Sequence, residues 1–440
     1  MRWNPIVIFP ILPCLAAWLF VSRISPAATE THPNLVVILA DDLGIECLTT
    51  YGGKSHATPN IDKLRAQGMQ FSHCFSNPFC SPSRASLLTG RYPFRNGLKE
   101  VLHSKRQEDT YLSPEQPSFA RQLKSAGYAT AITGKWHVSL LHKHNTIKAF
   151  GFDQYQVWQI FDGEGNKRRR FWTPHINRNG TLIANEIKNR YGPDVDMEFF
   201  LDFIRHNAEE KQPFFAYYAT CLPHYPWEPT PDSKEQGYVA PGEEHKGDPE
   251  YFPDMVAYLD KQVGQILKAL DGLGIAQNTV VMFLSDNGTD RGLTNLWGDG
   301  KRIQGGKGTM TDRGTRVPLI VRWPGRIEAG SNCADLVDFS DMFPTLCEIA
   351  GAPLPEETLH GRSFAPRLLG RPGNPREWVH IQDKEQRSVR SRGFMLTRKG
   401  EFSPVTDLPD GPAPAIKREL ADQEQSARKA LQAAFDELEK

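Results

Sequence analysis

Residues 34–42 read Asn-Leu-Val-Val-Ile-Leu-Ala-Asp-Asp, an uninterrupted apolar run that stops at two adjacent carboxylates. Residues 280–287 have a similar pattern: Val-Val-Met-Phe-Leu-Ser is followed by Asp286 and Asn287. Short continuous apolar runs of this kind are typical of strands that are buried on both faces of a sheet. Both stretches therefore predict interior strands of an α/β protein, each with polar groups at its carboxyl end.

Similar runs alternate with helical spacing along most of the chain. Strands are predicted at Leu35–Leu39, Ala129–Thr133, Phe214–Ala219, Val280–Leu284 and Leu319–Val321. Helices are predicted between them at Asn60–Gly68, Ser118–Gly127, Val195–Asn207 and Tyr251–Leu273. This alternation predicts an α/β fold with a large, mostly parallel sheet flanked by helices. Ligands of such sheets bind beyond the carboxyl ends of the strands, so the chemistry is expected there.

The composition narrows the class of protein. The 440 residues include 52 Lys+Arg and 52 Asp+Glu, and 39% of the residues are hydrophobic. That apolar content supports a sizeable core and excludes wholesale disorder. The balanced charge argues against a nucleic-acid partner, because such proteins use an excess of cations to neutralise phosphates. An enzyme is the leading class.

The first residues have the pattern of an export signal. Arg2 precedes the apolar stretch Ile6–Val21, and Ser25 and Ala27 supply the small residues of a cleavage site. Residues 1–27 are thus predicted to be a signal peptide, with an uncleaved anchor as the alternative. Later in the chain no apolar run reaches the ~18 residues of a membrane span, so no stable span is expected after removal of the leader. The mature protein is expected to be periplasmic or secreted.

The two strand ends supply a set of hard donor atoms. Asp41 and Asp42 close the first run, and Asp286 and Asn287 close the second. Adjacent carboxylates repel one another unless a cation lies between them. Three carboxylates and an amide suit Ca²⁺ or Mg²⁺, whereas zinc prefers His and Cys. The alternative is that each pair caps a helix or forms a turn.

Residues 80–84 read Cys-Ser-Pro-Ser-Arg and are followed by Ala-Ser-Leu-Leu-Thr-Gly-Arg at 85–91. The pattern places Cys80 at the start of a helix, with Arg84 one turn further on. A helix N-terminus and a nearby cation both stabilise a thiolate, which indicates a reactive cysteine. A buried structural cysteine is the alternative.

Together these stretches resemble the type I sulfatases of the alkaline-phosphatase superfamily. The stretch Cys80–Arg84, with its downstream Leu-Thr-Gly-Arg, is similar to the signature that directs oxidation of its cysteine to Cα-formylglycine. Three further motifs resemble elements of that family, namely Gly-Lys-Trp-His at 134–137, Pro-His-Tyr-Pro at 223–226 and Gly-Gly-Lys-Gly at 305–308. The resemblance extends from Leu35 to about Gly351, and it implies an alkaline-phosphatase-like fold.

The resemblance also implies a division of the chain. A sulfatase catalytic domain is expected over 33–352, and a small C-terminal α+β subdomain over 353–440. In that subdomain, Trp378–Gln382 and Val389–Thr397 are predicted as strands of a small antiparallel sheet. Helical spacing from Ile416 to Lys440 predicts a final helix that docks through its apolar side.

Individual residues acquire roles from the same resemblance. The implied catalytic set is Cys80, Arg84, Lys135, His137, His224 and Lys307. The implied metal ligands are Asp41, Asp42, Cys80, Asp286 and Asn287. The implied cofactors are Ca²⁺, with Mg²⁺ possible, and Cα-formylglycine derived from Cys80. The hydrated aldehyde would be a hard oxygen ligand, unlike the soft thiolate. A formylglycine-generating maturation enzyme is therefore an expected partner.

The implied reaction is hydrolysis of a sulfate monoester. A hydroxyl of the hydrated aldehyde attacks the sulfur, and His224 with Lys307 helps the alcohol to leave. His137 then takes the proton from the second hydroxyl, and the aldehyde re-forms as the bond from its carbon to the sulfate oxygen breaks and sulfate is expelled. Arg84 and Lys135 hold the nucleophile and the sulfate oxygens. The expected substrate is a sulfated small molecule or glycan, with carbohydrate preferred.

Two other functions stay open at this point. One is a phosphonate or phosphodiester hydrolase of the same superfamily, and the other is a catalytically silent secreted carbohydrate-binding homologue. The loops 141–179 and 225–254 are expected to select the substrate. The basic run Lys167–Arg170 is either a solvated loop or an electrostatic guide for an anionic substrate.

Overall fold

The structure of the protein is a computed structural model that describes residues 1–3, 32–103, 110–234, 247–406 and 411–439. Residues 4–27 of the predicted leader and residues 235–246 of the predicted substrate loop lie outside the described residues. Within the described ranges, no helix is both long enough and apolar enough to cross a membrane.

Ten strands form the main sheet, and a separate hairpin and a small second sheet account for the others. The strands are β1 Asn34–Ala40, β2 Met69–Phe75, β3 Ala129–Gly134, β4 Gln154–Trp158, β5 Ile176–Arg178, β6 Thr181–Leu182, β7 Phe214–Ala219, β8 Thr279–Ser285, β9 Thr294–Trp297, β10 Lys301–Gln304, β11 Arg316–Arg322, β12 Ser331–Asp338, β13 Val379–Asp383, β14 Gln386–Arg390, β15 Phe394–Thr397 and β16 Phe402–Pro404. The order in the main sheet is β12-β2-β11-β8-β1-β7-β3-β4-β5-β6, and β9 pairs with β10.

The helices connect these strands and cover the sheet. They are α1 Pro59–Ala66, α2 Cys80–Thr89, α3 Pro93–Asn96, α4 Phe119–Ser125, α5 Gly192–Glu209, α6 Phe252–Gly272, α7 Asp312–Thr315, α8 Met342–Ala350, α9 Ala365–Leu368 and α10 Asp422–Leu438.

The centre of the main sheet is parallel. Strand β1 lies between β7 and β8 and is parallel to both. Strand β3 lies between β7 and β4 and is likewise parallel to both. Strand β11 is antiparallel to β8 and β2, so the whole sheet is mixed. All seven residues of β1 are buried, which accounts for its uninterrupted apolar run. The predicted α/β class, with a large sheet flanked by helices, is confirmed.

Two hydrophobic cores lie on opposite faces of the sheet. Successive side chains of a strand point to opposite faces. Val37 accordingly belongs to the core that contains Phe119 of α4, whereas Ile38 belongs to the core that contains Leu259 of α6. Because both faces are covered, polar side chains of the central strands gather at the strand ends.

The C-terminal sheet is antiparallel and contains β13 to β16 in sequence order. The prediction of one strand over Val389–Thr397 is wrong, because a turn separates β14 from β15. In that turn the N–H of Ser391 donates to the carbonyl of Phe394 at 2.9 Å, and Gly393 lies between them. Helix α10 begins at Asp422, later than predicted, and Leu431 and Phe435 bury its apolar side in the core of this sheet.

Candidate active site

Two predicted donor pairs lie side by side at the carboxyl edge of the parallel centre. Ala40 of β1 pairs with Ser285 of β8, so the residues that follow each strand are neighbours. The N–H of Asp42 donates to Oδ1 of Asp286 at 3.2 Å. Asp42 has a φ of 67°, a left-handed conformation that costs energy in a residue other than glycine. Its carboxylate is thereby fixed within the same buried group.

Each of the three carboxylates accepts hydrogen bonds from a cation, and Nη2 of Arg84 also lies 3.7 Å from Oδ1 of Asp41. The pairs are Lys135 with Asp41, Lys307 with Asp42, and Arg84 with Asp286, at shortest nitrogen–oxygen distances of 2.7, 2.6 and 2.7 Å. Arg84 uses both Nε and Nη2 on its carboxylate, and its Nη1 donates to the carbonyl of Lys135 at 2.8 Å. Such charge-assisted bonds fix the geometry of all six side chains.

Burial nevertheless opposes full ionisation of this group. It would raise the pKa of Asp41, but the surrounding cations, Lys135 foremost, hold that pKa well below its usual value. Burial raises the pKa of Asp42 in spite of Lys307, and the charge of Asp41 adds to the rise. Burial and Asp41 also raise the pKa of Asp286 to about 6. A divalent cation would supply the positive charge that these two carboxylates lack.

The amide of Asn287 gives an independent indication of a cation site. Its Nδ2 donates to Oδ1 of Asp42 at 2.8 Å and to the carbonyl of Gly288 at 2.9 Å. Its Oδ1 is buried and has no hydrogen-bond partner in the described part of the chain. A buried acceptor without a donor is costly, whereas an amide oxygen beside carboxylates is a ligand that Ca²⁺ and Mg²⁺ accept. The residues present therefore fit a hard divalent cation.

Cys80 is the first residue of α2 and lies close to a histidine. Its Sγ is 3.5 Å from Nδ1 of His137, and only 2% of the residue is exposed. Pro82 falls in the first turn of the helix, where its missing N–H costs nothing. Gly90 ends the helix in the left-handed conformation at a φ of 65°. The short helix thus begins with a buried thiol at the site.

The end of β3 places Lys135 and His137. A Cβ at Gly134 would lie 2.0 Å from the carbonyl of Ala219, so glycine is required for this approach. The N–H of Lys135 donates to that same carbonyl at 2.6 Å. Burial, followed by the charges of Lys135 and Arg84, holds the pKa of His137 well below its usual value. This environment favours the neutral imidazole of His137.

His224 and Lys307 form a second contact pair. Nζ of Lys307 is 3.2 Å from Nε2 of His224, which in turn is 3.6 Å from Oδ2 of Asp42. On the other side of the ring, Nδ1 of His224 contacts the carbonyl of Tyr225. Burial and Lys307 hold the pKa of His224 well below its usual value. Asp41, Asp42 and His224 also bring one potential ligand atom each within 4.8 Å of one another.

A cavity of about 260 Å³ opens onto these residues. Its lining includes Cys80, Lys135, His137, His224 and Lys307. A larger cavity of about 680 Å³, lined by residues such as Arg91 and Trp378, contains none of the predicted site residues. The smaller cavity is therefore the one that most of the predicted catalytic residues line.

The structure brings together every residue of the predicted catalytic and metal sets. The sequence analysis missed the aromatic wall of the cavity, to which Trp158 and Phe161 contribute. Strand β4 ends at Trp158 and is parallel to β3, so its carboxyl end lies at the same edge of the sheet. Prediction of β4 would have located this wall, but two glutamines interrupt the apolar pattern of the short run Gln154–Trp158.

The fold gathers these side chains at the carboxyl edge of an α/β sheet, where ligands of such sheets bind. The profile of the family described as Sulfatase matches residues 33–352, which is most of the chain. The protein therefore belongs to the sulfatase family and is a sulfuric ester hydrolase.

Individual relatives agree with this assignment. Arylsulfatase A of Homo sapiens is 32% identical over 412 residues, which cover 89% of this chain and 76% of the human protein. N-acetylgalactosamine-6-sulfatase of Canis lupus familiaris is 34% identical over 366 residues, which cover 78% of this chain and 67% of the canine protein. The crystal structure of Ps i-CgsB in complex with k-i-k-neocarrahexaose has a TM-score of 0.76 at 23% identity and covers 92% of each chain. This last likeness shows that the fold is shared.

Proposed function

We propose that this sulfatase is an exported, calcium-dependent enzyme that hydrolyses a sulfate monoester of a carbohydrate, with Cα-formylglycine at position 80. The observation that carries the proposal is the position of Cys80. Its Sγ is 3.5 Å from His137, and it lines the same cavity as Lys135 and Lys307, the cations bound to two buried carboxylates.

The metal would be held by the oxygen donors at the strand ends, with magnesium as the alternative to calcium. These donors are the carboxylates of Asp41, Asp42 and Asp286 and the amide oxygen of Asn287. When bound, the ion would supply positive charge that polarises a sulfate oxygen and favours an ionised hydroxyl. The unpartnered Oδ1 of Asn287 supports this assignment.

A thiol is chemically out of place beside this donor set. Thiolates are soft ligands and suit a hard cation poorly. Conversion of Cys80 to an aldehyde, followed by hydration, would instead supply hydroxyl groups, which are hard ligands and oxygen nucleophiles. The conversion requires a formylglycine-generating maturation enzyme, which we include as a partner.

His137 is arranged to accept a proton on the side of residue 80. Its Nε2 lies 3.3 Å from the carbonyl of Leu102 and donates to it, so Nδ1 is the unprotonated nitrogen. That Nδ1 is the atom nearest to Cys80. Because its pKa lies well below the usual value, His137 is neutral and can take up a proton at Nδ1.

Lys307 and His224 are placed to assist the leaving alcohol. Although burial opposes the charged form, the carboxylate of Asp42 raises the pKa of Lys307, so its ammonium group is retained. Lys307 and His224 are in contact, and both line the cavity. The ammonium group of Lys307, in contact with His224, would stabilise or protonate the oxygen of the leaving alcohol.

A carbohydrate substrate is favoured by two features. The aromatic wall with Trp158 and Phe161 offers an apolar surface to a sugar ring. A relative 34% identical to this chain is named N-acetylgalactosamine-6-sulfatase. Export by the predicted leader at residues 1–27 would place the enzyme in the periplasm or outside the cell, where sulfated glycans occur as substrates.

The test uses the full chain, produced together with a formylglycine-generating enzyme. Sulfate release is measured with N-acetylgalactosamine 6-sulfate, other sulfated sugars and 4-nitrophenyl sulfate, and bis(4-nitrophenyl) phosphate serves as the phosphodiester. We expect calcium-dependent sulfate release that is absent in Cys80→Ala. A higher kcat/KM for the phosphodiester would overturn the proposal in favour of phosphoryl transfer. An unmodified thiol at position 80 in protein from the native host would instead indicate a silent carbohydrate-binding homologue.

A further inference from the structure

One wall of the cavity is cationic and takes no part in the proposed chemistry. The segment 160–170 folds back on itself through a bridge between Phe161 and Lys167. Asp162 secures the turn, because its carboxylate accepts two backbone N–H groups at 3.0 and 2.8 Å. The basic run Lys167–Arg170 is thereby held at the edge of the cavity.

Three of the four basic side chains have acidic neighbours. Arg168 forms an ion pair with Asp162. Arg169 and Arg170 lie near Glu228, where their charges oppose the rise in the pKa of that carboxyl that burial causes. Each of the three arginines therefore has a carboxylate close by within the protein.

Arg170 is built into the wall of the cavity. It is 5% exposed, and its guanidinium lies 4.4 Å from the centre of the Trp158 ring. It also donates to the carbonyl of Tyr225. A guanidinium fixed by stacking and a hydrogen bond adds positive potential at a defined place.

Lys167 differs from the other three residues. It lines the cavity together with Cys80, and no carboxylate among the described residues forms an ion pair with it. Although the residue is exposed, partial desolvation at the cavity, followed by the like charges of Arg170, Lys135 and Lys307, lowers the pKa of Lys167 to about 8. Like charges gathered around one cavity favour a bound anion.

The ester sulfate does not account for this extra charge. The other cations of the centre, Arg84, Lys135 and Lys307, already face the reacting position and are matched by three buried carboxylates. A sulfate monoester brings a single negative charge to that position, where a bound divalent ion would add further positive charge. Lys167 therefore has no counter-ion within the described protein or in a singly charged substrate.

We infer that Lys167 binds a second anionic group of the substrate, a carboxylate or a second sulfate close to the ester that is cleaved. The inference rests on the proposed function and narrows its substrate class to sugars with at least two negative charges. Arg170 supports this subsite through its fixed positive charge on the same wall.

The test compares three substrates of the full, matured enzyme. They are N-acetylgalactosamine 6-sulfate, N-acetylgalactosamine 4,6-disulfate, and the 6-sulfated disaccharide in which a uronate is joined to that sugar. We expect one of the two doubly charged compounds to have a kcat/KM about ten-fold above the singly charged one, mainly through KM. The compound with the higher kcat/KM identifies the second anionic group as a sulfate or a carboxylate. For a compound that is not hydrolysed, the affinity is compared instead, as the constant for its inhibition of 4-nitrophenyl sulfate hydrolysis.

Variants separate a charge effect from a structural one. Lys167→Gln should reduce the preference for the doubly charged substrate to within about two-fold, whereas Lys167→Arg should retain it. Lys188→Gln serves as the control, because Lys188 is an exposed lysine outside the cavity lining, and it should match the unmodified enzyme. The preference should also shrink as salt is added, because it depends on charge. Equal preference in Lys167→Gln and the unmodified enzyme would overturn the inference while leaving the sulfatase proposal intact. If none of the esters were hydrolysed, the proposed function would fail first and this inference with it.

Discussion

Nδ2 of Asn287 donates a 2.8 Å hydrogen bond to Oδ1 of Asp42 and so joins the ends of two neighbouring strands. The same bond fixes the orientation of the amide, since only one of its two ends can donate. The oxygen end is left buried and without a partner among the described residues. The hydrogen bond therefore leaves the amide oxygen available to the proposed cation.

Replacement of Asn287 by Leu should remove the metal. The change takes away the oxygen ligand and the hydrogen bond to Asp42 but keeps a similar volume. We expect the bound calcium per chain, measured by elemental analysis after dialysis, to fall well below the unmodified value, and kcat/KM to drop by about 100-fold or more. Asn287→Asp retains an oxygen ligand and should keep the metal. Full calcium occupancy in Asn287→Leu would contradict the site.

The role of His224 can be separated from that of the nucleophile by the choice of leaving group. A nitrophenolate leaves readily without a proton, whereas a sugar alkoxide needs protonation or strong charge stabilisation. We therefore expect His224→Ala to lower kcat on a sulfated sugar by about 100-fold, and to affect 4-nitrophenyl sulfate much less. His206→Ala, on the last turn of α5, serves as a control. Equal losses on both esters would show that His224 does not act on the leaving oxygen.

The stability of the protein should depend on a buried acid outside the site. Burial raises the pKa of Asp196 to about 7, despite hydrogen bonds from Gln156 and Thr133. In the unfolded chain an aspartate titrates near ~4, so between these pH values only the native state retains the proton. The contribution of Asp196 to the free energy of unfolding therefore falls as the pH rises from about 4 to about 7.

Asp196→Asn should abolish that dependence, because an amide does not ionise and its oxygen can accept the same hydrogen bonds. We expect the free energy of unfolding of the original protein, relative to Asp196→Asn, to decline by at most about 4 kcal/mol between pH 4 and pH 8. Denaturant titrations at several pH values provide the measurement. A constant difference would mean that Asp196 is ionised in the native state.

The C-terminal sheet should stabilise the loop that carries Lys307. Arg390 of β14 holds Asp312 of α7 through two hydrogen bonds of 3.0 and 2.8 Å, and both residues are buried. The guanidinium also lies 4.3 Å from the centre of the Phe75 ring. Removal of Arg390 leaves the buried carboxylate of Asp312 with the more distant Arg316, at 3.8 Å, so Arg390→Met should cost about 3 kcal/mol of unfolding free energy. The double variant with Asp312→Leu should recover part of that loss, and a further loss would refute the coupling.

The central strands were predictable because their environment is uniform. Strand β1 is apolar throughout, since both of its faces meet a core. Strand β2 escaped prediction although six of its seven residues are buried, because Gln70 and His73 interrupt its apolar pattern. Oε1 of Gln70 accepts a hydrogen bond from Thr50 at 2.6 Å, a tertiary contact that makes its burial tolerable. Such compensation cannot be inferred from the strand alone.

The members of the site were predictable as a set, but their pairing was not. The motif around Cys80 and the two strand ends are visible in the sequence, and the parallel sheet explains why the ends meet. Nothing in the sequence shows that Lys135 pairs with Asp41 or Arg84 with Asp286, because each pair joins residues more than ninety positions apart. That Lys167 has no ion pair among the described residues likewise depends on which neighbours pair with the other residues of its basic run.

All ten residues of α2 are buried, and the residue that opens it is 2% exposed. A modifying protein would need several residues of this segment extended in its own cleft, and the folded chain offers none of them. The modification proposed for position 80 would therefore have to precede folding of this segment. The active fraction of a preparation would then depend on how far that modification keeps pace with folding.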